Sequence, residues 1–262
     1  MFRKELDVAK KAAKLAGETI MKYYRKIDIK LKSNKTLVTE ADIESEKLIR
    51  KILSENFPEY SIWGEEFGKD EKTSKLMWII DPLDGTTNFV IENPFFNVSI
   101  ALVEDKIPVL GVVYYPFQDE LFFAVKGKGS YLNDNRIVVS KIESIEDSVI
   151  TFCHSSDKEA TLHMAEIWKA LKLRNPKVRQ IGAAALEMSY VASGRVDAFM
   201  MIKQNPWDVS AGAIIVEEAS GKVTDFDGDK FDIKKRDILA TNGKLHHELL
   251  EIINKCKSKI NF

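Results

Sequence analysis

The sequence predicts an α+β fold in which helices and strands form layers around a shared core. Two stretches with helical periodicity open the chain, short β-rich runs follow from Leu76, and helices and strands alternate after residue 148. Runs of strands followed by mixed helices and strands are typical of layered α+β proteins. Because no Pro/Gly/Ser-rich linker and no repeat interrupts the 262 residues, we predict one domain over 1–262. A soft boundary near 140–150 separates its two halves, and we expect a functional site to lie between them.

The first two elements are predicted to be amphipathic helices. Apolar residues recur at helical spacing from Leu6 to Tyr23, which predicts a helix over 2–25. The run Thr-Glu-Ala-Asp at 39–42 is an N-terminal capping pattern. We therefore expect a second helix to begin there and to end near Pro58.

The remaining elements follow from short β-rich runs and later helical periodicities. The first half is predicted to contain strands at 76–80, 98–103, 109–115, 121–125 and 137–139. Pro82 is expected to end the ladder of the first of these strands. The second half is predicted to contain strands at 148–152, 196–202 and 238–241 and helices at 157–172, 182–193, 207–219 and 244–257. His163, His246 and His247 fall on these helices and are interpreted as surface residues.

Composition excludes several classes of function. The chain carries 39 Lys and Arg against 40 Asp and Glu, a net charge of −1, so no overall charge attracts nucleic acid or an anionic membrane. Its two cysteines, Cys153 and Cys256, are too few for a disulfide framework or a cysteine metal site. The N-terminus has no apolar signal core, and the longest apolar run, 107–117, is about half of the ~20 residues that a membrane helix needs. We therefore expect a cytoplasmic protein with reduced thiols and with neither a membrane nor a nucleic-acid partner.

Acidic residues occur at four places where a core-forming pattern would not put them. They are Asp42 at a helix start, Glu65 and Glu66 after an apolar run, Asp81 and Asp84 in the segment 78–89, and Asp208 after Trp207. Within 78–89 an apolar strand ends in a carboxylate, and small polar residues with free backbone N–H groups follow at an expected helix start. Two carboxylates three residues apart can share hard cations, while a helix N-terminus and Thr hydroxyls take phosphate oxygens.

Each acidic motif has a plainer interpretation when it is taken alone. Asp84 would be a helix cap and Asp81 a turn former, the Glu pair at 65–66 would be solvated, and Asp208 would cap the helix that follows it. The combination of these motifs in this order instead predicts a site for metal and phosphate.

Two other motifs are interpreted as structural. The Gly-Lys-Gly run at 127–129 resembles a fragment of a phosphate loop, but no helix follows it, so a hairpin turn is favoured. A nucleophilic pair of Cys153 and His154 is disfavoured because neighbours on a strand point to opposite faces.

The acidic motifs resemble those of the inositol monophosphatase family of magnesium-dependent, lithium-sensitive phosphatases, which includes members that also hydrolyse fructose bisphosphate. The matching segments are 37–39 with Asp42, 64–66, 78–89, 127–129 with Asn133, Arg179 with 182–184, and 207–208 with 211–212. This resemblance covers nearly the whole chain. It implies a five-layered α-β-α-β-α sandwich of the sugar phosphatase type and a homodimer.

The resemblance also implies roles for individual residues. The magnesium ligands would be Glu65, Asp81, the backbone carbonyl of Leu83, Asp84 and Asp208, with Asp81 bridging two of the two or three Mg²⁺ ions. The catalytic residues would be Thr86, which orients and deprotonates the attacking water, Asp42 behind it, and Glu65. The substrate contacts would be Asp84, Gly85, Thr86 and Asp208 on the phosphate side and Gly182, Ala183 and Ala184 on the alcohol side.

Electrostatics supports this assignment independently. Five carboxylates that converge in one cleft repel one another, which raises their pKa values and costs stability unless cations neutralise them. The implied mechanism is a direct in-line attack of metal-activated water on phosphorus, without a phospho-enzyme. Lys32 and Lys35 lie in the polar segment before Thr39, where the family has a loop that reaches the metals. Whether Lys32 contacts the site is not decided by the sequence.

Position 201 departs from the family pattern. Animal inositol enzymes carry there a Glu that contacts inositol hydroxyls, and this chain has Met201, while Arg195 and Lys203 would favour a second phosphate. The prediction is a phosphatase for inositol monophosphate, with fructose 1,6-bisphosphate or a broader set of sugar phosphates as the alternative. Nucleotide bisphosphates and histidinol phosphate are further alternatives. A non-catalytic regulatory partner is the alternative outside the enzymes.

Overall fold

The computed structural model describes residues 2–26, 30–31, 37–154 and 157–257. The helices in these ranges are α1 Arg3–Tyr23, α2 Glu40–Asn56, α3 Thr86–Val90, α4 Lys158–Lys172, α5 Ala184–Ala192, α6 Pro206–Glu218 and α7 His246–Lys257. Apart from α3, whose start the acidic segment predicted, each was predicted with its ends within two residues. Within the described ranges no helix is long and apolar enough to cross a membrane.

The strands form one large and one small sheet, besides the two-residue pair β1 Lys30–Leu31 and β2 Leu37–Val38. The large sheet contains β3 Ser61–Gly64, β4 Gly68–Asp70, β5 Leu76–Asp84, β6 Asn97–Glu104, β7 Ile107–Tyr115, β8 Glu120–Val125, β9 Ser130–Leu132 and β10 Asn135–Ile137, in the order β10-β9-β8-β7-β6-β5-β3-β4. The small sheet contains β11 Ile150–His154, β12 Val178–Arg179, β13 Ala198–Ile202, β14 Lys222–Thr224 and β15 Asp237–Thr241, in the order β12-β11-β13-β15-β14. In the large sheet only the pair β3 and β5 is parallel.

Three apolar clusters separate five layers. One cluster packs α1 and α2 against one face of the large sheet, a second holds α5 and α6 between the two sheets, and a third packs α4 and α7 on the outer face of the small sheet. Strand β7 shows the alternation, because Val112 faces α1 while Val113 belongs to the central cluster. The layered α-β-α-β-α arrangement is therefore confirmed.

Glycine 111 sets how closely α6 approaches the large sheet. A Cβ atom at Gly111 would lie 2.5 Å from the backbone oxygen of Ala211. Real Cβ atoms do not approach an oxygen so closely, so the absence of a side chain on β7 allows the helix to pack directly on the strand. Helix α6 also carries Asp208 in its first turn, so this contact influences how far that carboxylate lies from the large sheet.

Three strand predictions were wrong in detail, and one of them, predicted at 148–152, lies two residues later at Ile150–His154. The strand predicted at 76–80 continues through Pro82 to Asp84, because a register shift between Asp81 and Asp84 places the proline where the ladder is interrupted. The strand predicted at 137–139 lies instead at Asn135–Ile137. Strands of two to four residues, such as β3, β9 and β14, were missed because a run so short is recognised as a strand only through its pairing partner.

The interpretation of His246 as a surface residue was also wrong. His246 is buried, with Nε2 2.9 Å from Thr224 Oγ1 and Nδ1 3.0 Å from Thr241 Oγ1. Burial lowers the pKa of this imidazole to about 4. His247 is exposed, as predicted, and His163 is half-buried.

Candidate active site

The candidate site forms where the parallel strands β3 and β5 end at the same edge of the large sheet. Glu65 follows β3 directly, and its N–H donates to the carbonyl of Ile80 at 3.2 Å. Asp81 and Asp84 lie in the last four residues of β5, with Asp81 opposite Ser99 and Asp84 opposite Asn97 on β6. In a regular strand, residues three apart point to opposite faces, so the extra residue in this bulge is what brings the two carboxylates together.

Asp208 reaches the same edge from the first turn of α6. Its Oδ2 accepts a hydrogen bond of 2.7 Å from the Asn205 N–H, which holds the carboxylate over the helix start. The Trp63 and Trp207 rings meet edge to face with centroids 5.9 Å apart. This aromatic contact joins the strand before Glu65 to the residue before Asp208.

The four carboxylates lie within electrostatic reach of one another. Burial raises the pKa of Asp81 well above its ordinary value, and repulsion from Glu65, Asp84 and Asp208 raises it further. Burial, with added repulsion from Glu65 and Asp84, raises the pKa of Asp208 to about 8. Asp81 and Asp84 are buried, whereas Glu65 and Asp208 are half-buried, so the cluster opens to solvent on the side of the latter two.

Asp84 is held by donors from two other elements. It accepts hydrogen bonds from Asn97 Nδ2 at 2.7 Å, from the Ala185 N–H at 2.8 Å and from the Ala184 N–H at 3.1 Å. These bonds lower the pKa of Asp84, but the larger effect of burial raises it to about 6. The N-terminus of α5 therefore points its N–H groups at this carboxylate.

The predicted contacts on the alcohol side lie beside the cluster, but their N–H groups are already bonded. The Ala184 N–H donates to Asp84, while the Gly182 and Ala183 N–H groups donate to Glu187 Oε1 at 2.9 and 3.3 Å. Glu187 is fully buried, and burial raises its pKa to about 7. In this conformation the N–H groups of 182–184 are therefore not free to donate to a substrate. The loop can contact the alcohol through van der Waals packing.

Thr86 and Asp42 adjoin the carboxylate cluster from two helix starts. Thr86 Oγ1 lies 3.1 Å from the Leu83 carbonyl and 3.3 Å from Asp42 Oδ1. Asp42 Oδ2 accepts from the N–H of Thr39 at 2.7 Å and from its hydroxyl at 2.6 Å, which confirms the predicted capping pattern. Burial raises the pKa of Asp42 to about 6, although the bonds from Thr39 act against this rise. The pair thus joins a hydroxyl to a carboxylate that titrates near neutrality.

Gly85 connects the strand to α3 with a backbone that favours glycine. Its φ is 88°, and a Cβ atom there would lie 3.0 Å from the Phe95 carbonyl oxygen. A side chain would therefore strain the turn between Asp84 and Thr86.

The donor set suits a hard cation. Carboxylates and the Leu83 carbonyl provide only oxygen ligands, which Mg²⁺ prefers, and burial together with mutual repulsion raises the pKa values of Asp81 and Asp208. In the described ranges, no group of three or more His, Cys, Asp or Glu side chains is already arranged around one point as a metal site. The carboxylates instead accept hydrogen bonds from Asn205, Asn97 and α5. The residue types therefore fit magnesium, and each carboxylate has acceptor sites beyond the hydrogen bonds that it accepts here.

The remaining candidates outside the cluster have structural explanations. The N–H groups of Gly127, Lys128 and Gly129 all donate to the Glu218 carboxylate, at 2.7, 3.0 and 2.7 Å, so this turn already binds an anionic group of the protein. Its interpretation as a hairpin turn is confirmed, since it joins the paired strands β8 and β9. The Cys153 thiol lies 3.2 Å from Glu187 Oε1, and burial raises its pKa, which disfavours a thiolate nucleophile. Lys32, Lys35 and the side chain of His154 lie outside the described residues.

Sequence reasoning missed the residues that support the cluster. Ser45, Glu46, Asn97 and Glu187 are all fully buried polar side chains bonded to site segments. The sequence signal that could have identified them was a polar residue on an otherwise apolar helix face or strand. It was present at 45 and 46, three and four residues after Asp42.

This layered fold is that of a family of phosphatases. The chain belongs to the inositol monophosphatase family, whose model matches residues 2–258. Members of this family are generally magnesium-dependent, and lithium sensitivity is typical of them.

Individual relatives match over nearly their whole length. A fructose-1,6-bisphosphatase/inositol-1-monophosphatase of Thermotoga maritima is 37% identical over 97% of this chain and 98% of its own. A Nus factor SuhB of Pasteurella multocida is 37% identical over 97% of both chains. The solved structure of an inositol monophosphatase from Thermotoga maritima superposes with a TM-score of 0.91 at 35% identity, over 98% of this chain and all of that one.

Proposed function

We propose that the chain is a magnesium-dependent phosphatase that releases phosphate from inositol monophosphate. The observation that carries this proposal is that Glu65, Asp81, Asp84 and Asp208 lie close enough to repel one another, beside the Thr86–Asp42 pair. A cluster of this kind costs stability unless cations bind to it, and family membership supplies the reaction class.

The metal would be held by the predicted oxygen ligands. They are Glu65, Asp81, the Leu83 carbonyl, Asp84 and Asp208, which would hold two or three Mg²⁺ ions. When bound, Mg²⁺ supplies positive charge that polarises the phosphate and lowers the pKa of water.

The chain's own residues would orient the attacking water and accept its proton. The Thr86 hydroxyl oxygen would take a proton from the water while its own proton moves to Asp42 Oδ1, which lies 3.3 Å away, so that the hydroxyl is restored and Asp42 ends protonated. A carboxylate with a pKa of about 6 is matched to proton transfer near neutral pH. Glu65 would orient the same water from the end of the neighbouring parallel strand β3.

The substrate would lie across the edge of the sheet. The N–H groups of Gly85 and Thr86 would bind its phosphate, with Asp84 and Asp208 beside them. The loop with Gly182, Ala183 and Ala184 would contact the alcohol.

Fructose 1,6-bisphosphate is the second proposed substrate. It is supported by the dual names of relatives in Thermotoga maritima and Aquifex aeolicus. Arg195 and Lys203, which were predicted to favour a second phosphate, are already bonded to carboxylates of the protein. Arg195 forms a bidentate pair with Glu120 at 2.6 and 2.7 Å, and Lys203 bridges Asp157 and Glu159 at 2.8 and 2.7 Å. A second phosphate must compete with these carboxylates, so we expect inositol monophosphate to be the better substrate.

We propose a homodimer, which the family resemblance implies, and a cytoplasmic location, which the two free cysteines support.

Side-by-side phosphate release tests the function. We expect release from inositol 1-phosphate and, more slowly, from fructose 1,6-bisphosphate with Mg²⁺, and none from either after chelation with EDTA. Absence of release from both substrates with Mg²⁺ would contradict the proposed substrates, and absence of release from a nucleotide bisphosphate and histidinol phosphate as well would favour the non-catalytic alternative. Release from only a nucleotide bisphosphate or histidinol phosphate would contradict the proposed substrates alone.

Met201 is expected to limit selectivity for inositol. Its side chain is nearly buried on β13, between Cys153 and Ile238, and offers no acceptor for a hydroxyl. Met201→Glu should raise the ratio of inositol 1-phosphate to fructose 1,6-bisphosphate kcat/KM by about 10-fold, because a carboxylate there can accept hydroxyl hydrogen bonds. Met201→Leu is the control and should leave the ratio unchanged. An unchanged ratio in the Glu variant would exclude position 201 as a determinant of selectivity.

A further inference from the structure

One face of helix α2 is polar although it is buried. Asp42, Ser45 and Glu46 are spaced i, i+3 and i+4, so they lie on one side of the helix, and each is at most 1% exposed. Buried polar groups are costly unless each finds a partner. The partners of these three side chains belong to three different segments of the site.

Glu46 binds the turn that carries Glu65. Its carboxylate accepts from the Glu66 N–H at 2.7 Å and from the Phe67 N–H at 3.2 Å. Arg50, one helical turn later, donates to Glu46 at 2.7 Å and also to the carbonyl of Gly68. Glu46 and Arg50 together therefore hold three consecutive backbone units after Glu65.

Gly64 allows this contact. A Cβ atom at Gly64 would lie 2.0 Å from Glu46 Oε1, so any side chain at this position would push the carboxylate away. The Glu46 side chain thus packs directly against the backbone at the end of β3.

Ser45 and Asp42 bind the other two segments. Ser45 Oγ donates to the Pro82 carbonyl at 2.9 Å, within the bulge between Asp81 and Asp84. Asp42 is paired with Thr86 at the start of α3. Residues 42 to 46 span only about 6 Å of helix axis, so one rigid turn contacts all three segments.

We propose that the buried polar face of α2 is a positioning template that holds the Glu65 turn, the Asp81–Asp84 bulge and Thr86 in fixed relation. Ser45 and Glu46 are positioning residues, since they touch the backbone beside the ligands and not the reacting atoms. Carboxylates that repel one another must be held in place before a cation arrives, and partners of this kind typically change metal affinity 10–100-fold. The expected effect on Mg²⁺ rests on the proposed function. The arrangement of the three segments is given by the hydrogen bonds themselves.

Glu46→Gln tests the template. A carboxamide keeps the shape but presents an NH₂ group to one of the two N–H donors and leaves Arg50 without its anion. We expect Mg²⁺ affinity by isothermal titration calorimetry to fall about 10-fold or more, with a smaller loss of kcat at saturating Mg²⁺. Amide hydrogen exchange of 66–68 in the metal-free protein should accelerate by a similar factor. Glu44→Gln, on the exposed face of the same helix, is the matched control and should change neither quantity.

Ser45→Ala provides a second, milder variant. Loss of the bond to Pro82 should weaken Mg²⁺ binding several-fold while the exchange of 66–68 stays at the wild-type rate. Wild-type Mg²⁺ affinity in both variants, or wild-type exchange of 66–68 in Glu46→Gln, would overturn the template. The exchange measurement needs no turnover, so a wild-type protein without phosphatase activity would contradict the proposed function and leave this test intact.

Discussion

Replacing Asp84 with Asn is expected to lower Mg²⁺-dependent turnover at least about 100-fold while the protein stays folded. Asp84 is one of the four clustered carboxylates, and a carboxamide cannot replace its charge in stabilising a charged transition state. The metal-free fold should tolerate the change. One of the bonds from Asn97, Ala184 or Ala185 is lost, but repulsion on Asp81 is relieved. Phosphate release at saturating Mg²⁺ and thermal unfolding of the metal-free protein measure the two effects.

The control for this change is Asp134→Asn, which makes the same substitution at an exposed turn. It should leave turnover within about 2-fold of wild type, as surface substitutions usually do. Turnover of Asp84→Asn within 10-fold of wild type would show that the metal ligands lie elsewhere.

Replacing Thr86 with Val is expected to lower kcat by about 100-fold or more with little change in Mg²⁺ affinity. Valine keeps the branched shape but removes the hydroxyl that lies 3.3 Å from Asp42, and proton transfer through a positioned side chain typically contributes 10²–10⁴-fold. The hydroxyl is not among the proposed ligands. Single-turnover kinetics together with calorimetry separates the loss of chemistry from a loss of metal.

Thr87→Val is the matched control, because Thr87 is the next residue on α3 and is exposed. Its activity should equal that of wild type. A Thr86→Val variant with wild-type kcat would remove Thr86 from the mechanism. A loss of Mg²⁺ affinity as large as the loss of kcat would reassign Thr86 to holding the metal ligands.

Much of the fold was predictable because its signals are local. Helix α2 shows this most clearly: the residues at 39–42 predicted its start, and the capping bonds from Thr39 to Asp42 are present. The strands of the large sheet between 98 and 125 were predicted from their apolar runs and turns. The small strands β3 and β14 were not, because a run of three or four residues is recognised as a strand only through its pairing partner.

The candidate site was predictable for the same reason, but its supports were not. Asp81, Asp84 and Asp208 stood out because each carboxylate follows an apolar run or opens a helix. Nothing adjacent in the chain indicated that Pro82 would sit in a bulge, that Arg195 would be neutralised by Glu120, or that His246 would be buried. Each of these outcomes depends on a residue that is distant in sequence.

The sequence by itself determined the layered fold class, the helices and the acidic residues, because periodicity, caps and turn residues act over three or four positions. Only the tertiary structure decided how those residues are held. Glu46 meets Glu66 and Ser45 meets Pro82 across 20 and 37 residues of chain. The strength of such a bond depends on the distance between its atoms and on their burial in the folded protein. The local pattern that predicts a helix specifies neither quantity.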